Sequence, residues 1–594
     1  MPPLLSSKIH NFPFRECLRT GFTATINVRT PWMLRYISTP NSSNTGHGPI
    51  PKNADDAHGE RKGRLSGSVL ILIGAFSSIP IYYLGSQLLK SNISISKQGP
   101  GFPISTSSTL PITNVYAPEH NISPKNMDEA YAEFARVIGK ENISTEGGTL
   151  ERHTSTEWSS YPAIPSQHPQ YVLFPGSTEE VSKIMKICHA RRIPVVAFSG
   201  GTSLEGHFAN TRHGIAIDFT RMNSIISVDK DDLDAVVQPG VSYEELNEQL
   251  EKENLFFPPD PGPGAMIGGM IGTGCSGTNA YYYGTMREWV INVTAVLADG
   301  TIIKTRQRPR KSSAGYDLTK VFIGSEGTLG LVTEATVKIT TKPQHESVAV
   351  VSFPTVRMAA ECVSKFVETG VRVAAVELLD ETTMKLINES GSLDREWEET
   401  PTLFIKFNGT PNGVSEQIQI VQEIAKSHGS VGFVFAKDKD EAEDLWTSRK
   451  TALWGAAAMK KHDTDHPWIT DVAVPISKLA DIIEETKKAL KETGLAGAIV
   501  GHVGDGNFHS LLFFAEEERP IAEKFVHNMV NRAIQLEGTV TGEHGVGLVK
   551  RDYLNHEVGE TTVDLMRKMK LAFDPLCLLN CDKVIRIVPE ERKG

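Results

Sequence analysis

Apolar and polar positions follow regular periods over most of the chain after residue 120. Between Met127 and Lys140 the apolar residues recur at helical spacing, which predicts a first helix. Val172 to Pro175 and Pro194 to Phe198 are short apolar runs of the kind found in buried strands. Between them, a helix is predicted from Thr178 to Arg192, with Ser177 as its cap. The folded body is expected to begin in earnest near residue 165.

Three stretches rich in Gly, Ser and Thr lie beside predicted strands within about 130 residues. They are Ser199 to Ser203, Met266 to Thr278, and Gly324 to Gly330, the last leading into a strand at Leu331. So many glycines disfavour a helix interior, so the second stretch is expected to be a long loop. One such stretch alone is explained by a tight turn, but three together favour a large planar or anionic cofactor held by backbone N–H groups. None has the Gly-x-Gly-x-x-Gly spacing of a Rossmann nucleotide site.

A group of imidazoles near the C-terminal end has the composition of a metal site. His502 and His509 flank a turn of Gly504, Asp505, Gly506 and Asn507, and Glu543 and His544 follow downstream. Such a turn brings both histidines to one point. Two His and one Glu form a ligand set with an open position, as a catalytic divalent metal requires. The competing interpretation is a glycine-rich turn with two satisfied core histidines, and the Glu543-His544 pair favours the metal site over it.

The N-terminal part of the chain resembles a targeting region. Residues 1–60 are basic, rich in Ser and Thr and poor in acids, as in a mitochondrial transit peptide. Residues 65–89 follow a basic tract and carry no charge, which predicts a membrane-spanning stop-transfer segment with the catalytic part in the intermembrane space. Residues 90–164 are expected to form a linker and the first helix.

Composition limits the class of protein. A chain of 594 residues is expected to form two or more domains, and its 40% hydrophobic and 22% charged residues are those of a globular protein. The net charge of −10 argues against nucleic acid as the main partner. The six cysteines have no zinc-finger spacing and imply no disulfide framework.

The motifs carry a family resemblance from about residue 165 to the end. Pro194 to Ser203, Ile267 to Gly277 and Leu318 to Val332 resemble the three FAD-contacting segments of the vanillyl-alcohol-oxidase/PCMH flavoprotein family. His502 to His509 with Glu543-His544 is similar to the C-terminal signature of its 2-hydroxyacid dehydrogenase branch. The resemblance implies an α+β fold, with a PCMH-type FAD-binding domain of two α+β subdomains at 165–344. An α+β FAD-oxidase C-terminal cap, which holds substrate and metal, would occupy 345–594.

The resemblance also implies which residues contact the flavin. Pyrophosphate contacts fall to Ser199, Gly200, Gly201, Thr202 and Ser203, and further contacts to Gly268, Thr273, Gly274, Ser276, Gly277 and Val332. Several relatives attach FAD covalently through a histidine where this chain has Thr202, so the FAD is expected to be non-covalent. Near the C-terminus, relatives often have Asn-Pro-Gly-Lys where this chain has Asn580-Cys581-Asp582-Lys583.

The expected chemistry is oxidation of a small 2-hydroxy acid. His502, His509 and Glu543 would hold Zn²⁺, with Mn²⁺ also compatible, and His544 would be the general base. By resemblance, Arg449 would clamp the substrate carboxylate. Related 2-hydroxyglutarate dehydrogenases have a lysine where this chain has Ile469 and an asparagine where it has Leu511. The absence of both polar residues favours a substrate with a single carboxylate.

The resemblance implies oxidation of D-lactate to pyruvate, with cytochrome c as the electron acceptor, at the inner mitochondrial membrane. The alternatives are a D-2-hydroxyglutarate or glycolate dehydrogenase of the same branch, a non-redox flavoprotein such as the ether-lipid alkyl transferase of this fold, and a flavin- or metal-binding protein without turnover.

Overall fold

The computed structural model describes residues 118–389, 395–450 and 452–587, all within one compact unit. The predicted transit peptide and stop-transfer segment lie outside these residues. Within them, no helix combines the length and the apolar character needed to cross a bilayer.

The strands are numbered in chain order. They are β1 (Ile143–Ser144), β2 (Tyr171–Leu173), β3 (Val195–Phe198), β4 (Ile215–Asp218), β5 (Ile225–Asp229), β6 (Asp234–Val237), β7 (Leu255–Phe256), β8 (Val290–Val296), β9 (Ile302–Lys304), β10 (Leu331–Lys338), β11 (Thr340–Thr341), β12 (His345–Ser352), β13 (Ala375–Leu379), β14 (Thr402–Gly409), β15 (Gly432–Phe435), β16 (His466–Ile469), β17 (Val472–Ala473), β18 (Ala496–Gly501) and β19 (Asn507–Phe514).

The first α-helix precedes β1, and the others lie between the strands and after them. They span Pro124–Ile138, Gly147–Arg152, Thr178–Arg191, Tyr243–Glu251, Ile267–Thr273, Ala280–Tyr283, Met286–Trp289, Leu318–Phe322, Val356–Thr369, Glu381–Glu389, Pro411–Ser427, Lys439–Lys450, Ala452–Ala457, Leu479–Thr493, Arg519–Gln535, Leu554–Glu557 and Glu560–Phe573.

The described N-terminal half contains two larger sheets, each with its own core, and a two-stranded sheet of β7 and β11. Strands β2, β4 and β3 are parallel, and β1 joins them antiparallel, in the order β1-β2-β4-β3. The second sheet, β5-β6-β10-β8-β9, is antiparallel throughout. These are the two α+β subdomains that the sequence predicts.

The first predicted helix is confirmed as Pro124–Ile138. It buries Met127, Ala130, Phe134 and Ile138 in the core of the parallel sheet, and β1 pairs with β2. The folded body therefore includes residues from Pro124 onward, ahead of the expected start near residue 165.

One prediction about the second glycine-rich stretch is wrong, because Ile267–Thr273 is helical rather than part of a long loop. Ile267, Met270 and Ile271 are buried in the core of the antiparallel sheet. A Cβ added to Gly268 would lie 2.6 Å from the Cβ of Pro239, so glycine allows the helix to pack closely there. Burial and close approach outweigh the low helix propensity of the glycines.

The C-terminal half is built on an antiparallel sheet in the order β15-β12-β14-β13-β18-β19-β16, with β17 paired to β19. One face packs on the long helices, including Val356–Thr369 and Leu479–Thr493. Side chains alternate between the two faces of a strand. A residue whose neighbours along the strand pack on these helices therefore points to the opposite surface of the sheet. We call this opposite surface the inner face; it carries Glu377, Lys406, Ile469, His509 and Leu511.

Candidate active site

A cavity of about 780 Å³ lies between the glycine-rich segments of the N-terminal half and the inner face of the C-terminal sheet. Its walls include the segment Ser199 to Ser203, parts of the second and third glycine-rich stretches, and the side chains of Lys406, Ile469, His509 and Leu511. The residues predicted to contact the cofactor and those predicted to contact the substrate therefore line one cavity.

Most of the predicted flavin-contacting residues line this cavity. The residues that do so are Ser199, Gly200, Gly201, Thr202, Ser203, Gly268, Thr273, Gly277 and Val332. Gly274 and Ser276 are not in the wall. Gly274 ends the helix Ile267–Thr273 in a left-handed conformation, and the Ser276 hydroxyl donates to Glu543 Oε2 at 2.6 Å.

The shape of the wall fits a flat cofactor held by backbone. A Cβ added to Gly269 or Gly272 meets no heavy atom closer than 4.0 Å or 3.8 Å respectively, so it would extend into the cavity. At Gly200 the added Cβ would instead lie 2.5 Å from the carbonyl oxygen of Gly264, so this turn can form only with glycine. The helix Ile267–Thr273 and the turn at Gly200 therefore leave backbone without side chains facing the cavity, as contact with a diphosphate or an isoalloxazine requires.

The three predicted metal ligands converge on one point beside the cavity. Glu543 Oε1 lies 3.1 Å from His502 Nε2 and 3.4 Å from His509 Nε2. The candidate ligand atoms of the three residues all lie within 4.8 Å of one another. Ser276 and the backbone N–H of Gly277 bind the other oxygen of Glu543, which leaves Oε1 for the cluster.

Each histidine of the cluster is oriented through its other ring nitrogen. His502 Nδ1 lies 2.8 Å from Glu377 Oε1, and His509 Nδ1 lies 2.8 Å from the carbonyl oxygen of Thr470. Both partners are acceptors, which places the ring proton on Nδ1 and leaves the Nε2 lone pairs for a cation. This N, N, O donor set fits a divalent metal such as zinc.

Electrostatics favours the same assignment. Burial alone would raise the pKa of Glu543, but His502 and His509 hold it well below its usual value, so the carboxylate stays ionised. Burial alone would lower the pKa of His502, but the carboxylates of Glu377 and Glu543 raise it well above its usual value. Without a metal this imidazole carries a proton, which a bound cation would replace.

His544 lies beside the cluster rather than within it. Its ring stacks on that of His509, with centroids 5.1 Å apart and planes at 8°, and it lines the cavity. His544 Nδ1 lies 3.3 Å from Glu205 Oε1. Burial alone would raise the pKa of Glu205, but Lys550 and His544 lower it to about 2. A buried carboxylate therefore contacts the Nδ1 side of the imidazole and fixes its orientation.

Asp471 positions the loop that carries Glu543 and His544. Its Oδ2 accepts from the backbone N–H groups of both residues, at 3.0 and 2.9 Å, and from the hydroxyl of Thr541 at 2.7 Å. Its Oδ1 accepts from the side-chain amide of Asn507 at 2.8 Å, which joins this loop to the histidine turn. No motif in the sequence marks Asp471 as part of the site.

Arg449 lies in the cavity wall, where the sequence placed a carboxylate clamp. Its Nε and Nη2 both donate to Glu377 Oε2, at 3.0 and 2.8 Å. Glu377 is 1% exposed and gives its other oxygen to His502, so one carboxylate ties the arginine to the metal cluster. Glu377 could not be found from the sequence, because no motif near it points to the site.

Two family models match the chain. The model for the FAD binding domain matches residues 169–306, and the model for the C-terminal domain of FAD linked oxidases matches residues 342–584. The first of these regions contains the glycine-rich segments up to Thr278, and the second contains the metal cluster.

Curated relatives match along most of their length. The chain is 50% identical to D-lactate dehydrogenase (cytochrome) 1, mitochondrial, of Saccharomyces cerevisiae, over 82% of this chain and 84% of the relative. It is 48% identical to D-lactate dehydrogenase (cytochrome), mitochondrial, of Kluyveromyces lactis, over 86% and 88%.

Solved structures share the fold at low identity. p-Cresol methylhydroxylase with substrate bound aligns with a TM-score of 0.65 at 17% identity, covering 78% of this chain and 98% of that one. The 4-ethylphenol oxidase from Gulosibacter chungangensis aligns with a TM-score of 0.64 at 19% identity, over 80% and 99%. The predicted PCMH-type α+β fold is thereby confirmed. Taken with the family models and the yeast relatives, it shows that this chain belongs to the family of FAD-linked oxidases that includes the mitochondrial D-lactate dehydrogenases (cytochrome).

Proposed function

We propose that this chain is an FAD-dependent D-lactate dehydrogenase that oxidises D-lactate to pyruvate and passes the electrons to cytochrome c. The observation that carries the proposal is the convergence of His502 Nε2, His509 Nε2 and Glu543 Oε1 on the wall of a cavity lined by glycine-rich segments. The names of the relatives that are about half identical support the substrate and the acceptor.

The bound groups supply two kinds of chemistry. Bound FAD would supply a hydride acceptor for the Cα hydrogen, and a bound divalent cation would supply a Lewis acid that lowers the pKa of the substrate hydroxyl. We assign the FAD to the segments that line the cavity and regard it as non-covalent, because Thr202 cannot form the histidyl link of some relatives. The cation would be held by His502, His509 and Glu543; zinc fits this donor set, and manganese accepts the same ligands.

The protein's own groups manage the proton and the carboxylate. His544 takes the hydroxyl proton, and Glu205 behind it stabilises the imidazolium that results. Arg449, with two of its donors fixed by Glu377, clamps the carboxylate. Ile469 and Leu511 are directly paired in register and present apolar surface to the small end of the substrate.

The proposed organisation of the chain follows the same reasoning. Residues 165–344 bind FAD, with the preceding helix packed on them, and residues 345–594 supply the substrate and metal sites. Residues 1–60 direct the chain to mitochondria, and residues 65–89 anchor it in the inner membrane with the catalytic part facing the intermembrane space. The word mitochondrial in the names of the relatives supports the compartment.

The test is anaerobic bleaching of the bound flavin by D-lactate, L-lactate and D-2-hydroxyglutarate. We expect rapid bleaching by D-lactate, lost on chelation and slowed about 10²- to 10⁴-fold in His544→Ala, because a general base contributes about that factor. His527→Ala is the matched control, since His527 is exposed and does not line the cavity. Bleaching by D-2-hydroxyglutarate instead would assign the chain to that dehydrogenase class, and no bleaching by any of the three would refute a hydroxyacid dehydrogenase.

A further inference from the structure

Lys406 is a cation on the inner face that no anionic side chain neutralises among the residues the structure describes. Its neighbours Ile405 and Phe407 face the core beneath the long helices, whereas Phe404 and Lys406 face the other way. The Lys406 ammonium lies over the ring of Trp446, 4.6 Å from its centroid, and the residue lines the cavity. Within the described ranges 118–389, 395–450 and 452–587, no carboxylate forms an ion pair with it.

Arg449, a second cation on this wall, differs from Lys406 because it forms an ion pair. Its Nε and Nη2 are both engaged by Glu377, so the charge of that pair sums to zero. Lys406 lies diagonally across from Glu377, because its register partner on β13 is Ala375, two residues before Glu377. Lys406 therefore has no ion-pair partner of its own among the described residues, whereas Arg449 is paired with Glu377.

The opposite wall does not neutralise Lys406 either. Asp260, a carboxylate on that wall, accepts from the Thr278 hydroxyl at 2.5 Å and from the backbone N–H of Asn279 at 2.9 Å. These donors hold Asp260 within its own loop. The negative charge of Glu346 raises the pKa of Lys406, and the positive charge of Lys450 lowers it.

Keeping a lysine in this position costs free energy. Burial disfavours the charged form and lowers the pKa of Lys406, and a cation–π contact offsets only part of the loss. A cation without an ion-pair partner in the wall of a binding cavity indicates a ligand that brings the opposite charge.

The position matches the carboxylate of a 2-hydroxy acid. Lys406 is on β14, two strands away from β18, which ends beside His502, so about 10 Å separates the two backbones. A substrate whose hydroxyl lies at the metal cluster would present its carboxylate, one carbon away, to the space between these strands. The flavin-contacting segments form the other wall.

We infer that Lys406 binds the substrate carboxylate alongside Arg449, and that it makes the site selective for hydroxy acids over uncharged alcohols of the same shape. This inference rests on the proposed function and adds a specificity-determining residue to it.

The experiment compares D-lactate with D-lactamide, its uncharged near-isostere, in Lys406→Met holoenzyme. The rate of anaerobic flavin reduction at varied concentrations of each substrate gives the preference for D-lactate over D-lactamide. Titration with pyruvate, followed by the absorbance of the oxidised flavin, gives the affinity for a carboxylate without turnover. We expect the preference to fall about 10- to 100-fold and the Kd of pyruvate to rise by a similar factor, since one charge-assisted hydrogen bond is lost. Most of the change should appear in substrate affinity rather than in the limiting rate of reduction.

Lys426→Met is the matched control, because Lys426 is exposed on the helix Pro411–Ser427 and does not line the cavity. It should leave both measurements unchanged. Unaltered preference and pyruvate affinity in Lys406→Met, with FAD retained, would overturn the inference. So would a changed flavin reduction potential with the preference intact, which would assign the charge to the flavin.

Failure of the proposed function gives a different pattern. A wild-type flavin that D-lactate does not reduce would refute the proposed activity. Weaker pyruvate binding in Lys406→Met than in Lys426→Met would then still support Lys406 as a carboxylate ligand, and equal binding would refute that as well.

Discussion

At the scale of single residues, Glu377 organises more of the site than its place in the sequence suggests. One of its oxygens accepts from His502 Nδ1 and the other from two donors of Arg449. The orientation of a metal ligand and that of a substrate clamp are thereby fixed by one buried carboxylate. A change at Glu377 should therefore disturb metal binding and substrate binding together.

We expect Glu377→Gln to weaken zinc binding about 10- to 100-fold, the usual effect of losing an outer-shell carboxylate on a ligand histidine. Competition with a chromophoric chelator measures this directly, without turnover. Glu361→Gln is the matched control, because Glu361 is an exposed surface residue paired with Arg357. Zinc affinity equal to that of the control would mean that Glu377 does not orient His502.

Two neighbouring apolar side chains should set the size of the acid. Ile469 and Leu511 are directly opposite in the β16–β19 pair and both line the cavity. The double variant Ile469→Lys, Leu511→Asn should gain flavin reduction by D-2-hydroxyglutarate, because a second carboxylate then finds a cation and an amide donor. Reduction by D-lactate should slow in the same variant. If D-2-hydroxyglutarate reduces the flavin in neither the two single variants nor the double variant, substrate specificity is set elsewhere in the cavity wall.

The sequence allowed the ligands to be predicted better than their supports. His502, His509, Glu543 and His544 lie in two short motifs whose residue types indicate chemistry. Glu377, Asp471 and Lys406 come from strands or strand ends that carry no such motif, and they meet the site only through the pairing of β13, β14, β18 and β19. Register over such distances cannot be read from local periodicity.

At the scale of elements, the periodic segments were predicted well and the glycine-rich helix was not. The predicted strand at Pro194 to Phe198 and the helix capped by Ser177 are present, and the Ser177 hydroxyl accepts from the backbone N–H of Glu180. The helix Ile267–Thr273 forms against propensity because its apolar residues are buried and its glycines allow close packing. Propensity alone cannot anticipate a contact with Pro239, which is supplied by another segment.

Gly268→Ala tests that close packing. The new Cβ would lie 2.6 Å from the Pro239 Cβ and 3.1 Å from its carbonyl oxygen, so the helix must shift, at a cost of about 1–3 kcal/mol. We expect a lower Tm and less FAD retained on gel filtration, measured by the ratio of flavin to protein absorbance. Gly147→Ala is the control, because a Cβ there meets no atom within 4 Å. FAD retention and Tm equal to those of the control would show that the helix tolerates the methyl group.

At the scale of the whole molecule, the two halves form one unit because the C-terminal segment returns to the first sheet. The Val195 N–H donates to the carbonyl oxygen of Leu578, and the Asn580 N–H donates to that of Val195, both at 2.7 Å. The side-chain amide of Asn580 also donates to the carbonyl oxygen of Glu326, in the third glycine-rich segment. The division into an FAD-binding half and a substrate half remains a prediction from the sequence motifs. The return of the C-terminal segment could not be predicted from them, because it joins segments almost 400 residues apart.

Membrane attachment is expected to depend on residues 65–89, which precede the described part of the chain. The residues assigned to the site all lie between Ser199 and His544, so the proposed chemistry does not require the anchor. In isolated mitochondria the full chain should remain in the pellet after alkaline carbonate extraction, and rupture of the outer membrane should expose it to protease. A chain lacking residues 65–89 should be released by carbonate yet reduce its flavin with D-lactate at the wild-type rate. N-terminal sequencing of the mature chain must accompany the extraction, because cleavage after residue 89 would also release it. Release of a chain that still carries residues 65–89 would refute the anchor and leave the proposed chemistry unaffected.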